Sequence, residues 1–172
     1  IAAASRLVDL VVFGPDVEDM PLPEQTAAER TLLAAHRPVM LAPKRAVRSV
    51  GAKVAILWDG GDAAAAAVLA GMPFIGKAQS VEIVHGRKNA DSEKSLNEIK
   101  DALALRGIKP LVRVVDVAGK ADGPALAEAV SAAEADLVVM GGYGHSRFRE
   151  IVLGGVTRHM LRNASVPVLM AH

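Results

Sequence analysis

The chain has 172 residues, 51% hydrophobic and 23% charged, with a formal net charge of +1. This is the composition of one globular domain, or of one domain and part of another. It contains no cysteine, which excludes disulfides and thiol chemistry, and its 3% aromatic content is too low for base-stacking platforms.

Short apolar runs bounded by Gly, Pro or Asp predict seven strands, at 7–13, 38–42, 53–58, 80–85, 111–117, 136–140 and 166–170. Helical patterns lie between them. Residues 25–36 form the first. Residues 62–70 are rich in alanine, with Asp62 at the expected N-cap and Met72-Pro73 expected to end or kink the helix. Residues 91–106 place Leu96, Ile99 and Leu103 at helical spacing, with Gly107 just past the end. Residues 124–134 begin after Gly123 with Pro124 in the first turn, and residues 155–163 form the last helix. Strands alternating with helices predict a parallel sheet covered on both faces.

The chain also echoes itself. DLVVFG at 9–14 matches DLVVMG at 136–141, and RPVML at 37–41 matches VPVLM at 166–170, with a helical stretch between the two blocks of each copy. The expected organisation is therefore the C-terminal part of a first repeat at 1–43, a basic linker at 44–51 (KRAVRSVG), and a complete repeat at 52–172. The complete repeat is expected to be doubly wound with five parallel strands; right-handed crossovers leave two orders, of which 3-2-1-4-5 is the one expected. In that order the winding reverses between its first and fourth strands. A crevice opens at their carboxyl ends, where open α/β sheets bind ligands.

Two glycine-rich loops converge on that crevice: Asp59-Gly60-Gly61-Asp62 and Gly141-Gly142-Tyr143-Gly144. Glycine lets backbone N–H groups approach a ligand closely. The last helix opens at Gly154-Gly155-Val156-Thr157, where unbonded N–H groups suit a phosphate. The structural alternatives are a tight strand-to-helix turn for the glycines, a helix cap for Asp59 and a packed residue for His85. His145-Ser146 lies outside any nucleophile elbow, so no catalytic residue is assigned. The five histidines show no metal-ligand spacing, so no metal site is expected.

Gly141, Gly144 and Gly154, with the flanking ADLVVMG and VPVLM blocks and Asp59 after the first strand, resemble the universal stress protein (UspA-like) family of ATP-binding type. The resemblance covers essentially the whole chain, as a tandem protein with its first domain truncated. It implies an adenine nucleotide alpha hydrolase-like fold and a cytoplasmic, non-enzymatic stress-response protein binding ATP, with or without magnesium, as a regulatory ligand. The glycines would contact phosphates and Asp59 the nucleoside end. Val84 or His85 would lie near the base, and Gly60, Met140, His145, Gly155, Val156 and Thr157 would complete the site. It also implies a homodimer or tandem pseudo-dimer pairing through the last strands, 38–42 and 166–170, with neither nucleic acid nor membrane as partner. One position departs from the family signature. Gly155 stands where a Ser or Thr is expected, which removes a hydroxyl worth about 1 kcal/mol to a phosphate. The alternative reading is therefore a nucleotide-independent dimeric scaffold that has lost ATP binding. In the first repeat, Gly14 is followed by Pro15 and Asp16, which lack the second glycine, and no nucleotide is expected there.

Overall fold

Lys53–Trp58 is apolar after its first residue, and Val54 to Trp58 are all buried; it sits at the centre of the sheet. The computed structural model describes residues 7–14, 28, 31–33, 36–87, 92–117, 122–142 and 155–172. Its strands are β1 (Val11–Phe13), β2 (Val39–Leu41), β3 (Lys53–Trp58), β4 (Ser80–Arg87), β5 (Leu111–Asp116), β6 (Leu137–Gly141) and β7 (Val168–Ala171). Its helices are α1 (Asp62–Ile75), α2 (Ser92–Ala104), α3 (Asp122–Ala132) and α4 (Gly155–Asn163). Ala28 and residues 31–33 are also helical.

The strands form one sheet in the order β1-β2-β7-β6-β3-β4-β5. From β5 to β7 every pairing is parallel, which is the expected 3-2-1-4-5 order. The complete repeat supplies five strands, and β2, antiparallel to β7, and β1, parallel to β2, extend the sheet to seven. The backbone groups along the edge of β7 are thereby satisfied.

The two outer pairings share one register. Val11, Val12 and Phe13 lie opposite Val39, Met40 and Leu41, as Val138, Val139 and Met140 lie opposite Val168, Leu169 and Met170. The N–H of Val11 donates to the Pro38 carbonyl at 3.0 Å, and that of Val138 to the Pro167 carbonyl at 2.9 Å. Between the pairs, Met40 faces Leu169, while Val39 faces Met170 and Leu41 faces Val168. Exchanging the two halves maps this pairing onto itself.

Helices cover both faces. One core joins Ala55, Leu57, Val84, Val138 and Met140 with Leu126 and Val130 of α3, Met160 of α4 and Leu32. The other joins Val54, Ile56, Trp58, Ile83, Leu137 and Val139 with Ala64, Ala67 and Ile75 of α1 and Ile99 and Leu103 of α2. The alanine stripe of α1 has a purpose in packing. Ala63, Ala64, Ala67 and Gly71 are all buried, and a Cβ at Gly71 would lie 3.2 Å from the Val139 side chain. Small residues let α1 settle close on the sheet.

Three local expectations are corrected. Pro73 does not end α1, which runs to Ile75; Ile75 is 1% exposed, Phe74 packs on the same core, and that burial offsets the one bond proline removes. The first strand is three residues rather than seven, because it has a single strand neighbour and Leu7 projects 98% exposed. His36 lies outside the first helical stretch, at φ +48°. Gly107, at φ +74°, follows α2 as expected.

Candidate nucleotide-binding crevice

Winding from β3 proceeds through β4 to β5 in one direction, and from β6 to β7 in the other. β3 and β6 are parallel neighbours, with Val54 to Leu57 paired to Leu137 to Met140. Their carboxyl ends therefore lie side by side, at the topological switch point. Asp59-Gly60-Gly61 leaves one strand and Gly141-Gly142 the other.

In the first loop, the exposed Asp59 accepts the Gly61 N–H through Oδ1 at 2.9 Å. Gly61 is the N-cap of α1 and, having no side chain, makes no side-chain cap bond of its own. This corrects Asp62, which is the first helical residue instead of the cap. Gly60 has φ +81°, and a Cβ there would lie 2.7 Å from Ser95 Oγ. Glycine is required on both counts.

Two further residues, Trp58 and Ser95, brace this loop. Trp58 Nε1 donates to the Ser95 carbonyl at 3.0 Å, tying the end of β3 to the first turn of α2. Sequence reasoning passed over both; the signal available was a lone tryptophan at a strand end in a chain almost free of aromatic residues. His85 is 2% exposed and stands beside Trp58 in register. Its Nδ1 donates to the Trp58 carbonyl at 2.9 Å, and its Nε2 has no hydrogen-bond partner among the described residues.

In the second loop, a Cβ at Gly141 would lie 2.6 Å from the Ala64 nitrogen and 2.8 Å from the Ala63 carbonyl carbon. The first turn of α1 rests directly on this glycine, so the two loops do converge. The Gly142 N–H donates to the Ala171 carbonyl at 2.9 Å, and His172 Nδ1 donates to the Gly142 carbonyl at 3.0 Å. Val84 and Met140 are buried in the core at 0% and 3% exposure, so only their main chains can face a ligand.

At the start of α4, Gly155 is exposed and a Cβ there would meet nothing within 4 Å among the described residues. Val156 is half-buried against the core and Thr157 is 6% exposed. Gly123 brings α3 close to α4: a Cβ there would lie 2.6 Å from His159 Cβ. Gly144, His145 and Gly154 lie outside the described residues, as do Pro15, Asp16 and Ser146. Among the described residues no group of three or more His, Asp or Glu side chains could hold a metal, and no helix is long and apolar enough to cross a membrane.

At the opposite end of the sheet, Asp136 gathers three backbone N–H groups: Gly51 at 3.0 Å, Ala52 at 3.2 Å and Lys53 at 2.8 Å. Burial alone would raise its pKa, but hydrogen bonds from Ser49 and these three amides outweigh it and hold the carboxyl below the ordinary value. Lys53 also pairs with Glu134 at 2.6 Å, and that hydrogen bond holds the Glu134 carboxyl below its ordinary value.

The architecture is shared with solved structures. A universal stress protein from Archaeoglobus fulgidus superimposes with a TM-score of 0.77 at 19% identity, over 99% of this chain and 64% of the other. A putative universal stress protein from Pseudomonas aeruginosa gives 0.63 at 16% identity, over 98% of this chain and 65% of that one. A universal stress protein family member from Burkholderia pseudomallei gives 0.54 at 19% identity, over 71% of this chain and 96% of that one. In sequence, 34 residues are 53% identical to universal stress protein Slr1230 of Synechocystis, a match covering 20% of this chain and 12% of the relative. The chain thus spans under two thirds of the first two structures and about an eighth of the curated relative. The model of the universal stress protein family matches residues 73–172, more than half of the chain. The chain belongs to the universal stress protein family.

Proposed function

We propose that this protein binds an adenine nucleotide, ATP, in the crevice between β3 and β6, as a regulatory ligand in a cytoplasmic stress response. Family membership supports the stress-response role in general terms. The observation that carries the ligand is the contact of two glycine loops at the switch point. The Gly141 turn touches Ala63 and Ala64, which directly follow the Asp59-Gly60-Gly61 loop, and in sequence the glycine signature runs on from that turn into α4. The residues fit such a ligand. Gly155 leaves open space at the first turn of α4, where amides suit phosphate. Asp59 is an exposed acceptor at the mouth of the crevice, suited to a ribose hydroxyl. We assign the nucleotide a regulatory part, without turnover.

A second reading is favoured by a specific observation. Gly141 is explained by the close seat of α1 alone, and Gly155 lacks the hydroxyl of the signature. On that reading the protein is an interaction module that kept the fold and dropped the ligand. Calorimetric titration with ATP and magnesium decides between them, on the wild type and on Gly144→Asp. Micromolar binding lost in the variant supports the nucleotide. Absence of heat and of any thermal shift at millimolar ATP supports the scaffold.

A further inference from the structure

Two consecutive glycines lead out of β6, and the chain packs on them from opposite faces of the sheet. Gly141 meets the first turn of α1, which belongs to the core of Ile56 and Val139. Gly142 meets the helical stretch between β1 and β2, which belongs to the core of Leu57 and Met140. A Cβ at Gly142 would lie 2.6 Å from Leu32 Cδ2. Gly142 does not adopt the left-handed backbone, so its conformation does not itself demand glycine. Among the described residues, it is Leu32 that excludes a side chain there.

Leu32 has little freedom to yield. It is 1% exposed, and Ala28 and Thr31 beside it are also buried. Gly142 is held in the plane of the sheet as well. Its N–H donates to the Ala171 carbonyl, and its carbonyl accepts from His172 Nδ1. The end of β7 thus fixes Gly142 sideways, and Leu32 fixes how deep it sits. The glycine signature runs on from this residue toward Gly144 and Gly154. Its direction of departure is therefore set where Leu32 presses.

We infer that Leu32 is a positioning residue for the nucleotide site, acting through Gly142, and that the seating of the helix between β1 and β2 thereby regulates ATP affinity. This rests on the nucleotide reading above. A loop that must be ordered on binding loses affinity to that ordering, and a turn fixed beforehand avoids the loss. The coupling is reciprocal, so bound ATP holds the helix in its seat.

The test is a two-residue cycle in the 172-residue chain, read by ATP calorimetry with magnesium and by melting without nucleotide. Gly142→Ala should lower ATP affinity by about 5-fold or more, because its methyl forces the turn away from Leu32. Leu32→Val withdraws both Cδ atoms and should also lower affinity, because the turn loses its stop. The double variant should return to within about 2-fold of the wild type, since the methyl then occupies the space vacated. Val39→Ala is the control. Val39 is buried in the same core but is not among the nearest neighbours of Gly142. It should lower the melting temperature and leave ATP affinity within about 2-fold. Amide exchange at Thr31 and Leu32 should slow when ATP is added. Wild-type binding with equal affinity in all the variants overturns the inference and leaves the nucleotide reading standing. So does a Val39→Ala variant that loses as much affinity as Leu32→Val, or a double variant no better than the singles. A wild type that binds no ATP overturns both.

Discussion

Asp136 accepts the Lys53 N–H at 2.8 Å across a separation of 83 residues, clasping the start of β3 to the start of β6. The same carboxylate also holds Gly51 and Ala52. Replacing it by Asn presents an NH2 group to three donors, and we expect Asp136→Asn to cost about 1–3 kcal/mol at neutral pH, read by chemical denaturation. The pH dependence follows from the depressed carboxyl. Its stabilisation is fully present above the unfolded-state value near 4 and is lost as pH falls through the lower folded-state value. The variant should therefore show a flatter stability profile on the acid side than the wild type. Glu134→Gln, which removes only an exposed partner of Lys53, should leave the melting temperature unchanged.

Gly141→Ala tests the seat of α1. The added methyl would stand 2.6 Å from a backbone nitrogen, and a backbone cannot swing aside as a side chain can. The variant should lose about 1–3 kcal/mol of stability without any nucleotide present. A neutral outcome would mean that α1 shifts freely over β6.

Gly60→Ala puts a Cβ at φ +81° and against Ser95 Oγ. The left-handed backbone alone should cost about 1–2 kcal/mol. Combining it with Ser95→Ala removes the hydroxyl contact, so the double variant should recover part of the loss and keep the backbone part.

Gly155→Ser restores the missing hydroxyl at a position where a side chain meets nothing. Stability should not fall. ATP affinity should rise by about 5-fold, equivalent to one hydrogen bond of about 1 kcal/mol. Unchanged affinity in a protein that does bind ATP would place the phosphates away from α4.

Trp58→Phe removes the Nε1 bond to the Ser95 carbonyl while keeping most of the packing. We expect a loss of about 1 kcal/mol, with the first turn of α2 exchanging its amides faster.

Much of this was legible beforehand because it is local. Strands β3 and β6 are runs of apolar residues that both faces bury, and Gly107 ends α2 through a backbone angle that glycine adopts without cost. Pro73 was misread because a local penalty was weighed without the burial of Ile75 that outweighs it. Trp58, Ser95 and the triple grip of Asp136 went unseen, since their partners are 37 to 85 residues away in the chain. Asp136 had looked like no more than a strand boundary.

By itself the amino-acid order determined the alternation of strands and helices, the 3-2-1-4-5 winding, the echo between 9–14 and 136–141, and the glycines at the crevice. Hydrophobic periodicity and backbone permissiveness act over a few residues, so a linear reading reaches them. Only the tertiary structure decided what the glycines stand against. Among the described residues, a Cβ at Gly141 would meet a helix, while one at Gly155 or at Gly14, the counterpart of Gly141, would meet nothing within 4 Å. That difference arises from packing between elements far apart in sequence, and close packing is a property of the assembled layers rather than of any one segment.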